Sequence, residues 1–251
     1  MPQAIIFDFR DTIIAVKAAY LQANEKLFQD LKGLGLTLDL EAFLALIEPL
    51  ILKVKQENLN SPNFHDGTSA FVHKVLEVLK FPVPREEFER LIFAYDKKFA
   101  ESVTIYSDAE IILPRLKAAN FKLAVIIDGT IRRERRILER LQLEDTFDAV
   151  IISEEIGENK TTNKPLWTAL ERLRVEPAGV VVVGDKEDED IMPAKAMGCR
   201  TILLIRAGGR YSHEQAKKTQ ADEVARSLIE VEQIIRSWTF AHVAVRELVA
   251  K

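Results

Sequence analysis

The sequence predicts an α/β fold in which a parallel sheet is combined with an inserted α-helical bundle. Short apolar runs alternate with helical patterns over most of the chain. After the first apolar run, however, residues from about 15 to 104 carry only helical periodicity. The alternation is typical of a parallel sheet covered by helices on both faces, and the interruption indicates a separate small bundle.

Six apolar runs predict the strands of the sheet, and the last of them is weak. They cover residues 4–7, 123–127, 149–152, 180–183, 201–205 and 223–225. Helical patterns lie between them at residues 132–141, 165–173 and 188–197. Because strands and helices alternate, we expect the strands of this sheet to run parallel.

The insertion predicts four amphipathic helices. They cover residues 16–31, 40–55, 71–79 and, after Pro84, 88–99. Four such helices can bury one another's apolar stripes in a small bundle. We therefore assign residues 1–14 and 105–251 to a core domain and residues 15–104 to a helical cap domain. Since the cap follows the first strand directly, we expect it to lie over the strand ends as a lid.

Composition narrows the class of partner. The formal net charge is -4 and the sequence pI is about 5.7, so nothing favours nucleic acid or a membrane surface, which both need a basic face. The one cysteine, Cys199, allows no internal disulfide and fits a reducing compartment. We find no apolar segment typical of a signal peptide or a membrane span, and expect a cytoplasmic protein that is a monomer or a homodimer.

Acidic side chains follow three of the predicted strands. Asp8 follows the first strand, Asp128 the second and Asp185 the fourth. In parallel sheets, ligands bind outside the carboxyl ends of the strands. The three aspartates therefore predict a ligand site at one edge of the sheet.

Four motifs occur in a fixed order after these strands. They are Asp8-Phe9-Arg10-Asp11-Thr12, then Ile127-Asp128-Gly129, then Lys160, then Gly184-Asp185 with Asp190 five residues on. Their order and spacing resemble the haloacid dehalogenase-like (HAD) hydrolase superfamily, in the subfamily with a helical cap after the first strand. The resemblance covers nearly the whole chain and implies a Rossmann-like core.

The resemblance implies a role for several of these residues. Asp8 would be the nucleophile, since a carboxylate can attack phosphorus or carbon and form a covalent intermediate. Lys160 would neutralise Asp8 and the transferring group; Lys164 offers a competing alignment, but the spacing from Gly157 favours Lys160. Substrate-binding positions would be Asp128, Gly129 and Thr130.

The resemblance also implies Mg²⁺ as the cofactor. Mg²⁺ prefers oxygen ligands and often shares its shell with a substrate phosphate. Asp8 and Asp185 would be direct ligands, with Asp190 direct or in the outer shell. The substrate would then be a small phosphorylated metabolite.

Two residues depart from the family pattern. Phosphatases of this family have a second aspartate two residues after the nucleophile, where this chain has Arg10. A guanidinium does not exchange protons near neutral pH, and the loss of a general acid/base typically lowers the rate ~10²–10⁴-fold. Ile127 replaces the hydroxyl after the second strand, and Thr130 is a weak candidate to substitute for it.

Three functional hypotheses follow from these departures. The favoured one is a metal-dependent phosphatase with weakened chemistry, which would still act on good leaving groups such as acyl or aryl phosphates. The second is a hydrolase acting on carbon; its dehalogenase branch needs no metal, and its phosphonatase branch needs a cap lysine such as Lys53 or Lys55. The third is a catalytically inactive binding or regulatory protein, in which Arg10 pairs with Asp8 or Asp185.

Overall fold

The predicted α/β architecture is confirmed. The computed structural model describes residues 2–58, 67–207, 216 and 218–249. The strands in these ranges are β1 (Ala4–Asp8), β2 (Ile14–Ala15), β3 (Thr104–Ile105), β4 (Lys122–Ile127), β5 (Ala149–Ile152), β6 (Val180–Gly184), β7 (Arg200–Leu204) and β8 (Glu223–Ala225). The α-helices are α1 (Lys17–Gly33), α2 (Leu40–Asn58), α3 (Gly67–Leu79), α4 (Arg85–Ser102), α5 (Ser107–Ala118), α6 (Ile131–Arg140), α7 (Ser153–Ile156), α8 (Lys164–Leu173), α9 (Met192–Ala196) and α10 (Leu228–Val249).

The main sheet has the strand order β5-β4-β1-β6-β7-β8, and every neighbouring pair is parallel. Each predicted strand appears within two residues of its expected bounds. The central strands β1 and β6 are buried along their whole length, because helices cover a parallel sheet on both faces. Their sequences are therefore continuous apolar runs rather than alternating ones.

The chain divides into two compact units. The first consists of Met1–Ala15, Thr104–Asp128 and Leu141–Lys251, and the second of Val16–Val103 and Gly129–Arg140. The boundaries at 15/16 and 103/104 lie within one residue of those expected from the sequence. Residues 129–140, which contain α6, group with the inserted helices, whereas the sequence analysis assigned them to the core.

The first unit buries the sheet against its helices. Ile6 on β1 and Val182 on β6 belong to one buried cluster with Leu166 and Leu170 of α8. Burying one such side chain stabilises the fold by about 1.5–3 kcal/mol. The short antiparallel ribbon of β2 and β3 joins the two ends of the insertion; at two residues each, these strands carry no periodicity that a sequence could display.

The second unit is a bundle held by aromatic contacts between its helices. Tyr20 on α1 lies 4.5 Å from Phe99 on α4, measured between ring centroids, and Phe71 on α3 lies 5.7 Å from Tyr95 on α4. The four insertion helices were predicted from their apolar stripes, and all four are present. The placement of this bundle as a lid stays a prediction.

None of the helices in the described part of the chain combines the length and the apolar character that a membrane span requires.

Candidate functional site

The site lies at the carboxyl ends of three adjacent strands of the first unit. β1 pairs with β4 on one side and with β6 on the other. Phe7 is in register with Val183, and Asp8 is in register with Ile126. This register brings Asp8 beside the end of β6, where Asp185 follows Gly184. Strand order thus brings together side chains that are far apart in sequence.

A tight turn after β6 carries Asp190 back to the strand end. The residues Glu187–Ile191 form a π-helical turn in which the backbone N–H of Asp190 donates to the carbonyl of Lys186 over 3.0 Å. The Asp190 side chain packs on Gly184, where a Cβ atom would lie 2.4 Å from its carboxyl carbon. Only glycine therefore fits at position 184, because any side chain would displace Asp190.

Lys160 reaches the same point from the loop between α7 and α8. Asn159 accepts a hydrogen bond from the backbone N–H of Thr161 over 3.0 Å, which fixes the turn that carries the lysine. The Lys160 Nζ donates to Asp8 Oδ1 and, over 2.9 Å, to Asp190 Oδ1. Lys164, the competing alignment, instead pairs with Glu158 on the surface at 3.3 Å.

Three buried carboxylates form a potential cation site. Ligand oxygens of Asp8, Asp185 and Asp190 lie within 4.8 Å of one another. Within the described chain, Asp8 Oδ2 and Asp185 Oδ1 are buried and have no hydrogen-bond partner. Orphaned buried carboxylate oxygens are costly, and a hard cation such as Mg²⁺ would satisfy them. The residues present therefore fit the expected metal.

Asp190 differs from the other two acids because both of its oxygens are engaged. Its Oδ1 accepts from Lys160, and its Oδ2 accepts from the backbone N–H of Lys186 over 3.1 Å. This arrangement suits a residue that orients Lys160 and the ligands around a metal ion. It leaves Asp8 and Asp185 as the better candidates for direct ligands.

The buried acidic cluster is stabilised by bound protons or by nearby positive charge. Burial and the neighbouring charge of Asp8 raise the pKa of Asp185 to about 8. Burial raises the pKa of Asp190 to about 6, although Lys160 opposes the shift. Burial alone would lower the pKa of Lys160, but the charges of Asp190 and Asp8 outweigh it and hold the pKa well above its usual value. Lys160 therefore stays protonated.

Asp128, which directly follows β4, joins the site through its side chain. Asp128 Oδ1 accepts a hydrogen bond from the backbone N–H of Lys160 over 3.3 Å. Burial raises the pKa of Asp128, while the charge of Lys160 partly counters the shift. Ile127 is 1% exposed and ends the strand, so this position presents a buried aliphatic side chain. Gly129 and Thr130 belong to the second unit, and their assignment to the substrate stays a prediction.

The loop after β1 makes a left-handed turn at Asp11. Asp11 has a φ of 58°, in the left-handed region that aspartate tolerates better than most residues. Its backbone N–H donates to the carbonyl of Ile14 over 2.7 Å. The loop thus keeps a left-handed turn without glycine. Arg10 precedes this turn, and its positive charge opposes the rise in the pKa of Asp128.

An arginine on the far side of the loop holds this turn in place. Arg206 donates to the carbonyl of Thr12 over 2.7 Å and to Asp108 over 2.6 Å. Its guanidinium lies 4.0 Å from the ring centroid of Tyr106. The sequence analysis missed Arg206, since a lone arginine after a strand carries no motif.

The sequence analysis also missed Lys186. Its side chain is 19% exposed, and its Nζ lies 2.6 Å from Glu189 Oε2. Burial would lower the pKa of Lys186, but the charges of Asp8 and Asp190 outweigh it and raise the pKa. A lysine directly after a strand-end aspartate was the available signal.

Comparison with known proteins agrees with this geometry. Residues 5–204 match the haloacid dehalogenase-like hydrolases. The chain belongs to this family. A glyceraldehyde 3-phosphate phosphatase from Methanopyrus kandleri is 30% identical over 84% of this chain and 86% of its own length. The expected superfamily and class of enzyme, a hydrolase, are confirmed.

Solved structures support the fold of this HAD hydrolase. A HAD phosphatase from Thermococcus onnurineus is 26% identical, with a TM-score of 0.65, over 94% of this chain and 98% of that one. A HAD hydrolase from Bacillus subtilis, solved with bound magnesium, has a TM-score of 0.72 at 19% identity, over 94% of this chain and 99% of its own. At that identity the second likeness shows the fold alone.

Proposed function

We propose that this HAD hydrolase is a Mg²⁺-dependent phosphatase that acts on a small phosphorylated metabolite through an aspartyl-phosphate at Asp8. The observation that carries the proposal is the convergence of Asp8, Lys160, Asp185 and Asp190 at one edge of the sheet. The phosphatase relatives support the choice of phosphorus over carbon.

The chemistry starts at Asp8. A carboxylate oxygen attacks phosphorus, so that a bond to Asp8 forms while the bond to the leaving oxygen breaks. Water then attacks the phosphorus, releases phosphate and restores the carboxylate. Asp8 and Asp185 would hold Mg²⁺, which when bound offsets the repulsion between nucleophile and phosphate.

Lys160 supports both steps as a fixed positive charge. Its ammonium contacts Asp8 and is oriented by Asp190. Because it stays protonated, it stabilises negative charge that accumulates on the transferring group. Buried at 5% exposure, it acts where water screens it least.

The two departures set the range of substrates. Arg10 does not protonate a leaving oxygen, so esters of poorly acidic alcohols react slowly. Acyl and aryl phosphates release a stable anion and need little protonation. We therefore expect this enzyme to favour them over alkyl phosphates to a greater degree than phosphatases with the second aspartate.

The two alternative hypotheses carry less weight. A dehalogenase needs no metal, so the acids Asp185 and Asp190 do not suit that branch. For the phosphonatase branch, Lys53 is exposed and lies 3.9 Å from Glu57, and the side chain of Lys55 lies outside the described residues. A regulatory protein would need Arg10 to pair with Asp8 or Asp185, whereas Asp8 already has Lys160 as an ion-pair partner.

The test is a phosphatase screen with and without Mg²⁺. The panel contains glyceraldehyde 3-phosphate, acetyl phosphate and p-nitrophenyl phosphate, together with a 2-haloacid. We expect Mg²⁺-dependent phosphate release that Asp8→Asn abolishes and that the matched surface variant Asp145→Asn retains. Turnover that survives in Asp8→Asn contradicts the proposal, and so does metal-independent halide release without phosphatase activity.

A further inference from the structure

We propose that Lys186 is a second phosphoryl-binding cation, which acts beside Lys160 and replaces the donor that is lost at Ile127. The proposal deepens the proposed function and rests on it, because it names a residue that contacts the substrate's phosphoryl oxygens at the same site. Its test uses inorganic phosphate and needs no turnover.

Lys186 contacts the acidic cluster through its backbone and pairs through its ammonium with a residue beside it. Its backbone N–H donates to Asp190 Oδ2 over 3.1 Å, so the residue is tied to the acidic cluster. Its Nζ lies 2.6 Å from Glu189 Oε2. Glu189 in turn lines the same small cavity, of about 20 Å³, as Asp8 and Lys160. Lys186 therefore contacts, through its backbone and its ammonium, two residues that line this cavity, Asp190 and Glu189.

Several negatively charged side chains act on the Lys186 ammonium. Beyond Glu189, the negative charges of Asp8 and Asp190 also act on the Lys186 ammonium and raise its pKa. The positive charge of Lys186 in turn opposes the rise in the pKa of Asp128 and of Asp185. The charge of Lys186 is therefore coupled to the carboxylates of the site and not to Glu189 alone.

The hydrogen-bond donors of Lys186 match the acceptors of a phosphoryl group. A phosphoryl group offers three strong acceptor oxygens, and Ile127 donates to none of them. A lysine ammonium has three donors, of which the contact with Glu189 uses one. The remaining donors of Lys186 suit a phosphoryl oxygen that the family's hydroxyl would otherwise bind.

The experiment is titration of inorganic phosphate into the Mg²⁺-loaded protein, with Mg²⁺ alone titrated separately. We expect Lys186→Met to weaken phosphate binding on the order of 10- to 100-fold, the usual range for a lost charged hydrogen bond. Mg²⁺ alone should bind as tightly or more tightly, because a positive charge near its ligands has been removed. Lys186→Arg should retain most of the phosphate affinity.

Two matched variants separate binding from a structural role. Lys195→Met removes a more exposed lysine, paired with Asp222, and should leave phosphate affinity unchanged. Glu189→Gln breaks the salt bridge while keeping Lys186, and should not weaken phosphate binding. Thermal unfolding checks the fold, and Lys186→Gln carries the same expectation should Lys186→Met not fold.

The opposite pattern would overturn the proposal. Equal phosphate affinity in Lys186→Met and wild type contradicts it, as does a parallel loss of phosphate and Mg²⁺ binding. If Glu189→Gln reproduces the loss, Lys186 is structural. Failure of the phosphatase hypothesis would appear differently, as phosphate affinity that depends on Lys186 without any turnover that depends on Asp8.

Discussion

Two substitutions at single positions determine how this site differs from phosphatases of its family. Arg10 stands where a proton-transferring aspartate is expected, and Ile127 stands where a hydroxyl is expected. We predict that Arg10→Asp combined with Ile127→Ser raises phosphatase turnover on an alkyl phosphate by about 10²-fold or more, the lower range for a general acid/base. Steady-state kinetics with glyceraldehyde 3-phosphate measures this. A folded double variant that binds Mg²⁺ and shows unchanged turnover would contradict our account of the departures.

The raised pKa values of Asp185 and Asp190 predict how stability and metal binding vary with pH. Their pKa values of about 8 and about 6 lie above the ~3.9 of an unfolded aspartate. The folded metal-free protein therefore holds protons more tightly than the unfolded chain. The resulting stability is full below about pH 4 and is lost as pH rises through about 6 and about 8.

Mg²⁺ must displace these protons, so its affinity should rise over the same pH window. Thermal unfolding with a chelator should show a decreasing midpoint between about pH 6 and about pH 8, and added Mg²⁺ should stabilise most at the upper end. Asp185→Asn should flatten both trends. A midpoint of the metal-free protein that rises across this window because of Asp185 would be inconsistent with the buried acidic cluster.

Secondary structure elements were predictable where they are long and periodic. The strands of the main sheet and the four insertion helices have strong apolar patterns, and their bounds followed from them. The expected helix at residues 188–197 is instead a π-helical turn followed by α9. The close packing of Asp190 on Gly184 requires this local geometry, and a tertiary contact of that kind leaves no periodicity in the sequence.

A buried polar cluster joins three helices of the second unit, and no sequence pattern predicted it. Arg133 on α6, which is 8% exposed, lies 3.2 Å from Asp96 and 2.8 Å from Glu134. It also donates to Thr68 on α3 over 2.8 Å. The neighbouring Arg132 has a side chain that is 57% exposed, so residue type alone does not distinguish the buried arginine from the exposed one.

We predict that Arg133→Met destabilises the protein by about 3–5 kcal/mol, because it removes the buried cation that contacts Asp96 and Glu134, and the remaining partner of Asp96, Arg132, is exposed and 3.8 Å away. Arg132→Met is the matched control: its side chain is 57% exposed, and we expect a change within about 0.5 kcal/mol. Denaturant unfolding measures both. Similar losses in the two variants would show that burial of Arg133 does not decide its contribution.

At the scale of the whole molecule, three aspartates could be expected near one edge of the sheet because the carboxyl ends of parallel strands meet there, while their roles stay a prediction. Asp8 ends β1, Asp128 follows β4 and Asp185 follows β6, and these three strands are neighbours. Arg206 and Lys186 were missed for a different reason. Their roles depend on which loops meet in space, and neither residue type nor spacing reports that.

The central claim is that Asp8 carries the phosphoryl group during turnover, and trapping that intermediate tests it most directly. The enzyme is mixed with acetyl phosphate and Mg²⁺, quenched in acid, digested with pepsin and analysed by mass spectrometry. We predict one phosphoryl group on the peptide that contains Asp8, and none in Asp8→Asn. Phosphate release by wild type with no phosphorylated Asp8 peptide, or equal release by Asp8→Asn, would contradict the account.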